Sequence, residues 1–246
     1  MWYNRDIKKS MGGIAVGILA NAFSFSLGSL LGARIKRAAA ATTFDVLGIG
    51  IMILSAVGFL EGVLDVSGGV VESRGLVTVV FSLILGTLTG NACRLEERLP
   101  KLAHASGDTA RAITEATLLF GIGGLQLTGP LLLAVNGAST QLYLKSLVYL
   151  PFALLFGATY GKSAALSALP VALMQIGVFG LSLIAAPLLT PDLIGQIASM
   201  GYVILFFTGY NTLSVTRHRI GNVNMLPAIP IHIILYLILK SLGGLV

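Results

Sequence analysis

Stretches of about 20 predominantly apolar residues recur along this chain, the length an α-helix needs to cross the hydrocarbon core of a bilayer. With uncertain edges they run over about 11–33, 43–64, 75–93, 115–134, 141–160, 163–187, 197–214 and 224–243. Backbone polar groups in lipid have no water to bond, so each apolar run satisfies them internally as a helix. Composition agrees. Only 11% of the 246 residues are charged, against roughly a quarter in soluble domains, too few to face water on every side. The fold class is therefore an all-α polytopic membrane protein of about eight helices, with seven as the alternative because Pro227 and Pro230 interrupt the start of the last run.

The chain is one transmembrane domain, 1–246, and its longest polar stretch, 94–111, is a loop within it. Asn136-Gly137 reads as a tight turn between the fourth and fifth spans, and Thr190-Pro191-Asp192 as a helix start with Pro at its first position. Met1–Ser10 is basic and precedes an apolar run, as in a signal peptide. That run exceeds the usual core of roughly 7–15 residues, so it reads as a retained span.

The net charge of +6 sets orientation. The odd-numbered loops hold Arg34, Lys36, Arg37, Arg94, Arg98, Lys101, Arg111, Lys162, Arg217 and Arg219. The opposite side holds Arg5, Lys8, Lys9, Arg74 and Lys240. The excess places the odd-numbered loops, 94–111 included, in the cytoplasm and both termini outside, although the basic N-terminus argues the other way.

Several motifs match a known family in order and spacing. The first span contains GILANAFSFSLGSLLG, the third ends GTLTGNACRLEERL, and the fourth reads ATLLFGIGGLQLTGPL. YLKS opens the fifth, GKSAALSALPVALMQ the sixth, and Arg-Ile-Gly-Asn leads to NMLPA before the eighth. The chain resembles an uncharacterised bacterial inner-membrane family of the YqgA/YdfK-like type, domain of unknown function 554, from about Gly17 to Ala228. The resemblance implies a transporter or channel more than an enzyme. Loose labels for the family are a sodium channel or pump and an effect on biofilm formation. The chain departs from the family at Tyr149, where an aspartate usually follows the lysine matching Lys145, and at Ile176, where glycine usually follows the glutamine matching Gln175.

Internal similarity suggests an inverted repeat of helices 1–3 and 6–8, a common transporter architecture. Asn21 aligns with Gln175, Phe25 with Phe179 and Leu27 with Leu181. In the next spans Gly48 aligns with Gly201, Ile51 with Ile204 and Leu60 with Leu213. The copies lie an odd number of spans apart, so they run in opposite directions. Chance alignment of Gly-rich apolar helices is the competing account.

Polar groups inside spans are costly and face a bundle interior or a pathway. Asn21 and Gln175 lie mid-span and could offer carbonyl oxygens to a cation, or donors and acceptors to a polar solute; plain interhelical bonding is the alternative. Gln126 lies between Gly121-Ile122-Gly123-Gly124 and Gly129-Pro130, which suggests a broken helix. Lys145 lies inside the fifth span close to an end, where snorkelling to the interface is the default and substrate or ion binding the alternative. Asn91 and Asn211 read as helix-end caps.

Enzymatic features are wanting. The three histidines lack metal-ligand spacing, Gly157–Ser163 is one residue short of a phosphate loop, and no Gly-x-Ser-x-Gly elbow occurs. The expectation is a non-enzymatic plasma-membrane transporter or channel for a small ion or polar solute, with no cofactor or metal and ligands Asn21, Gln126, Gln175 and Lys145. A non-transporting scaffold or sensor is the alternative. Expected partners are the lipid bilayer and the solute, not nucleic acid; homo-oligomerisation is left open.

Overall fold

The computed structural model describes residues 3–31, 37–67, 69–95, 97–98, 107, 113, 116, 120–121, 124–137, 139–213 and 222–242. The helices are α1 (Tyr3–Leu31), α2 (Arg37–Val63), α3 (Leu76–Ala92), α4 (Gly124–Asn136), α5 (Thr140–Tyr160), the short α6 (Lys162–Leu166), α7 (Ala168–Ala185), α8 (Pro191–Thr212) and α9 (Ala228–Ser241). Among the described residues, five stretches are long and apolar enough to cross a membrane: Gly12–Leu31, Asp45–Val63, Ser163–Leu188, Pro191–Thr212 and Val223–Ser241. Shorter apolar helices cover Leu76–Ala92 and Lys145–Ala158. Leu19, Phe23 and Leu30 of α1 and Leu169, Leu173, Leu181 and Ile184 of α7 project outward. An apolar surface that extensive is excluded from water by lipid.

Helix α8 is the central element. Of its apolar window 72% is buried, against 22–33% in the other four. Its start is encoded locally, as expected: Thr190 Oγ1 accepts a hydrogen bond from Leu193 N at 3.2 Å, Pro191 takes the first position, and Asp192 lies in the first turn. The helix therefore begins before 197, where the apolar run alone placed it. Helix α2 packs along α8 antiparallel, with Gly48 against Gly209 and Gly62 against Gly195. A Cβ at either end of these crossings would strike the facing backbone. Helix α1 lies parallel to α5. Gly13 sits beside Leu142, and Gly28 lies against Leu154 and Gly157. Helix α3 meets α9 antiparallel, with Gly86 at Ala228.

An element the hydropathy did not anticipate joins α2 to α3. Strands β1 (Leu64–Ser67) and β2 (Val70–Ser73) form an antiparallel hairpin, Leu64 paired with Ser73 and Ser67 with Val70. Gly69 at φ 81 turns the chain there. Arg74 clips the hairpin to the bundle through Asp65 and through Asp192 at 3.1 Å. The hydrogen bond to Asp192 first, then the charge of Asp65, raise the Arg74 pKa above its ordinary value.

Two further expectations change. The described part of α4 runs unbroken through Gly129-Pro130, so the break expected near Gln126 is not found there. Asn91 does not cap α3: its Oδ1 accepts from Asn224 Nδ2 at 2.6 Å, tying the end of α3 to the 3-10 turn Asn222–Met225. Pro230 sits in the first turn of α9, where its missing N–H costs no helical bond. Glu115 and most of the 94–111 loop lie outside the described residues.

Candidate functional site

Four helices, α1, α4, α5 and α7, converge around Ile14, Leu133, Leu142 and Phe179, which form one buried cluster. Each inward face carries a polar residue in the register of its apolar neighbours. On α5 the buried series is Leu142, Lys145, Tyr149, Ala153 and Phe156. On α1 it is Ile14, Gly17, Asn21, Phe25 and Gly28, and on α7 it is Val171, Gln175, Phe179 and Ser182. Steps of three and four residues keep one face inward, so a lysine or amide in these series is carried into the core.

The snorkelling expected of Lys145 does not occur. Its side chain is fully buried, and Nζ donates to Gln175 Oε1 at 2.8 Å. As an ammonium Lys145 can only donate, which fixes the amide: oxygen faces the lysine, and Nε2 points to Ile14 O at 3.4 Å. Gly17 makes room, since a Cβ there would stand 2.7 Å from Gln175 Nε2. The place of Lys145 in the buried series of α5, rather than its distance from the helix end, sets its depth.

Asn21 and Gln126 are also buried, at 4% and 0% exposure. Among the described residues, Asn21 Nδ2, both amide atoms of Gln126 and the Tyr149 hydroxyl have no hydrogen-bond partner. Helix contacts place these groups at one level. Helix α4 runs antiparallel to α1: Leu133 lies beside Gly13, and Phe120, upstream of α4, meets Phe25. With a rise of about 1.5 Å per residue, moving two turns from Ile14 reaches Asn21 and moving two turns from Leu133 reaches Gln126. Helix α5 runs parallel to α1, and the contacts of Gly13 with Leu142 and Gly28 with Leu154 bring Tyr149 to the level of Asn21. Asn21, Gln126 and Tyr149 thus form a layer about one turn from Lys145–Gln175. Phe25, Phe120 and Phe156 close the far side, their ring centroids 4.8 to 6.0 Å apart and near-perpendicular; Phe120 also packs on Tyr149 at 5.3 Å.

Each buried polar atom left unpaired costs roughly 1–3 kcal/mol. Four in one layer, beside an amine with donors to spare, form a buried polar layer between the Lys145–Gln175 pair and the aromatic cluster. The structure thus groups all four residues singled out in the sequence around one place and adds Tyr149.

A second buried polar cluster, built around a histidine that sequence reasoning missed, lies between α3, α8 and α9. His232 Nε2 is 2.8 Å from Gln196 Oε1 and its Nδ1 is 3.0 Å from Ser82 Oγ, which in turn donates to Thr78 O. Thr190 Oγ1 and Tyr236 OH are 2.8 Å apart nearby. The available signal was His232 in register with Ala228 and Tyr236 on the buried face of α9.

A family model described as "Protein of unknown function (DUF554)" matches residues 13–237. The chain is similar to "Uncharacterized membrane protein YdfK" of Bacillus subtilis (strain 168), 24% identical over 232 residues, covering 92% of this chain and 98% of that protein. It is also similar to "Uncharacterized protein YqgA" of Escherichia coli (strain K12), 24% identical over 238 residues, covering 88% of this chain and 94% of that protein. No solved structure matches.

Proposed function

We propose that this chain, which belongs to the DUF554 family of proteins of unknown function, is a plasma-membrane transporter or channel for a small ion or polar solute. One observation carries the reading: Asn21, Gln126 and Tyr149 leave polar atoms unpaired among the described residues, in a single buried layer beside Lys145–Gln175. A bundle that only needs to hold together gains nothing from such a layer, whereas a passing solute supplies the missing partners.

The direction of each helix pair supports eight alternating spans. The first and fifth spans run parallel, while the second and seventh, third and eighth, and first and fourth run antiparallel, as their order requires. An inverted repeat of helices 1–3 and 6–8 is supported by which helices touch. Each of the pairs first–sixth, second–seventh, third–eighth and fourth–fifth meets, as a two-fold would demand. The first–fifth contact is mirrored by the fourth–sixth, and the fourth–seventh by the second–fifth. Asn21 and Gln175 occupy matching places on the buried faces of α1 and α7. In the next pair the glycine contacts favour aligning Gly48 with Gly195 instead of Gly201. That alignment exchanges Gly48–Gly209 with Gly62–Gly195 and superposes Thr43-Phe44-Asp45-Val46-Leu47-Gly48 on Thr190-Pro191-Asp192-Leu193-Ile194-Gly195. The site then lies between the repeats, with odd-numbered loops cytoplasmic and both termini outside.

The scaffold reading draws on the Lys145–Gln175–Ile14 chain, which stitches α5, α7 and α1 together. Reconstitution in liposomes separates the two. Currents on a solid-supported membrane are recorded for sodium, potassium, protons, chloride, fluoride and amino and organic acids, with tracer uptake for electroneutral movement. Solute-dependent flux lost in Asn21→Ala/Gln175→Ala supports transport. Folded, inserted protein that moves none of them favours the scaffold.

A further inference from the structure

We propose that this buried polar layer takes a small monovalent anion, held by Lys145 and by the amide donors of Asn21 and Gln126. This rests on reading the layer as a solute site and narrows the class of solute.

The chemistry of the four helices decides the sign. Helices α4, α5 and α7 contain no Asp or Glu, and α1 contains only Asp6, near its start. Among the described residues no carboxylate pairs with Lys145; its hydrogen-bond partner is the neutral amide of Gln175. A cation entering here would meet a buried amine and, among the described residues of these four helices, no anionic ligand at its level. An anion would give the amine the charge partner that a buried ammonium needs. Donors also outnumber acceptors. Lys145 uses one donor on Gln175, and Asn21 Nδ2 and Gln126 Nε2 are unused, whereas the unused acceptors are Gln126 Oε1 and the Tyr149 oxygen, which can donate instead. Hydrogen bonds from such donors to a charged acceptor are stronger than to a neutral one. One lysine sets the charge at one. Halide, nitrate and short carboxylates share this chemistry, and the test separates inorganic from organic anions.

The full chain is reconstituted and initial flux is measured with chloride, nitrate, formate or acetate, each with sodium, potassium or choline. Gluconate serves as the bulky anion and glycerol as the neutral solute. Melting of the detergent-solubilised protein is followed with the same salts. The expected result is a rate that follows the anion, ignores the cation, and falls at least about tenfold in Lys145→Met, the scale of one lost charge-assisted bond. Lys145→Arg should restore part of it. If Lys145→Met does not fold, Gln126→Leu takes its place. Flux that follows the cation, or that glycerol carries with gluconate alone, overturns the anion assignment and leaves transport standing. Absent flux with anion-specific stabilisation that Lys145→Met abolishes keeps the anion site and removes transport. Neither flux nor stabilisation overturns both.

Discussion

The molecule buries two polar clusters, and they are finished differently. Between α3, α8 and α9, both ring nitrogens of His232 are within hydrogen-bond distance of a partner, one of Gln196 and one of Ser82, and the Ser82 hydroxyl donates to Thr78 O. Gln196 Nε2 is the atom left over there, among the described residues. Between α1, α4, α5 and α7, the Lys145–Gln175 bond is made, but four polar atoms on Asn21, Gln126 and Tyr149 have no partner among the described residues. Paired groups hold helices together, and unpaired ones are stabilised only by something that arrives. The first cluster has the pairing of a structural clamp, and the second is the proposed solute site.

Replacing a member of each cluster should therefore have opposite signatures, and this is the largest effect expected. Lys145→Met should lower flux about ten- to a hundredfold, the loss of a bond to a charged group, while the melting temperature changes little, because removing a buried amine offsets the cost of leaving Gln175 Oε1 unpaired. His232→Leu should leave flux per folded molecule intact and cost about 1–3 kcal/mol of stability by stranding Ser82 and Gln196. Flux assays and thermal unfolding on the same preparations check both. A lysine variant that melts early with normal flux would place the clamp on the other side.

Gly28→Val comes next. A side chain there meets the Leu154 backbone, so α1 and α5 must part, at a cost of about 1–3 kcal/mol from overpacking. Because the two helices share the site, stability and flux should fall together, a pattern neither cluster variant shows. Smallest is Arg74→Ala. Its pairs with Asp65 and Asp192 are exposed, so flux should be unchanged and melting scarcely altered. The guanidinium pKa is raised in the folded state. The contribution is thus complete at neutral pH and fades only when alkali deprotonates the arginine; stability of wild type and variant should differ by the same small amount from pH 5 to 8.

Much of this was legible in the residues. Apolar runs located the helices because a membrane leaves the backbone no other choice, and mid-span Asn21 and Gln175 stood out for the same reason. The hairpin at 64–73 was not legible, since four-residue strands leave too short a pattern beside an apolar helix. Nor was the depth of Lys145, which depends on α1, α4 and α7 covering the first turns of α5. The clamp was missed because Ser82, Gln196 and His232 are distant in sequence, and a lone histidine says nothing about its neighbours until α3, α8 and α9 are packed.

Gln126→Leu tests the central claim most directly, because Gln126 has both amide atoms unpaired among the described residues and is fully buried. Melting temperature and solute flux should be measured on one preparation beside the wild type. The account predicts a variant that is more stable, by about 1 kcal/mol, and that has lost most of its flux. A variant that is less stable, or one that transports as well as the wild type, would contradict it.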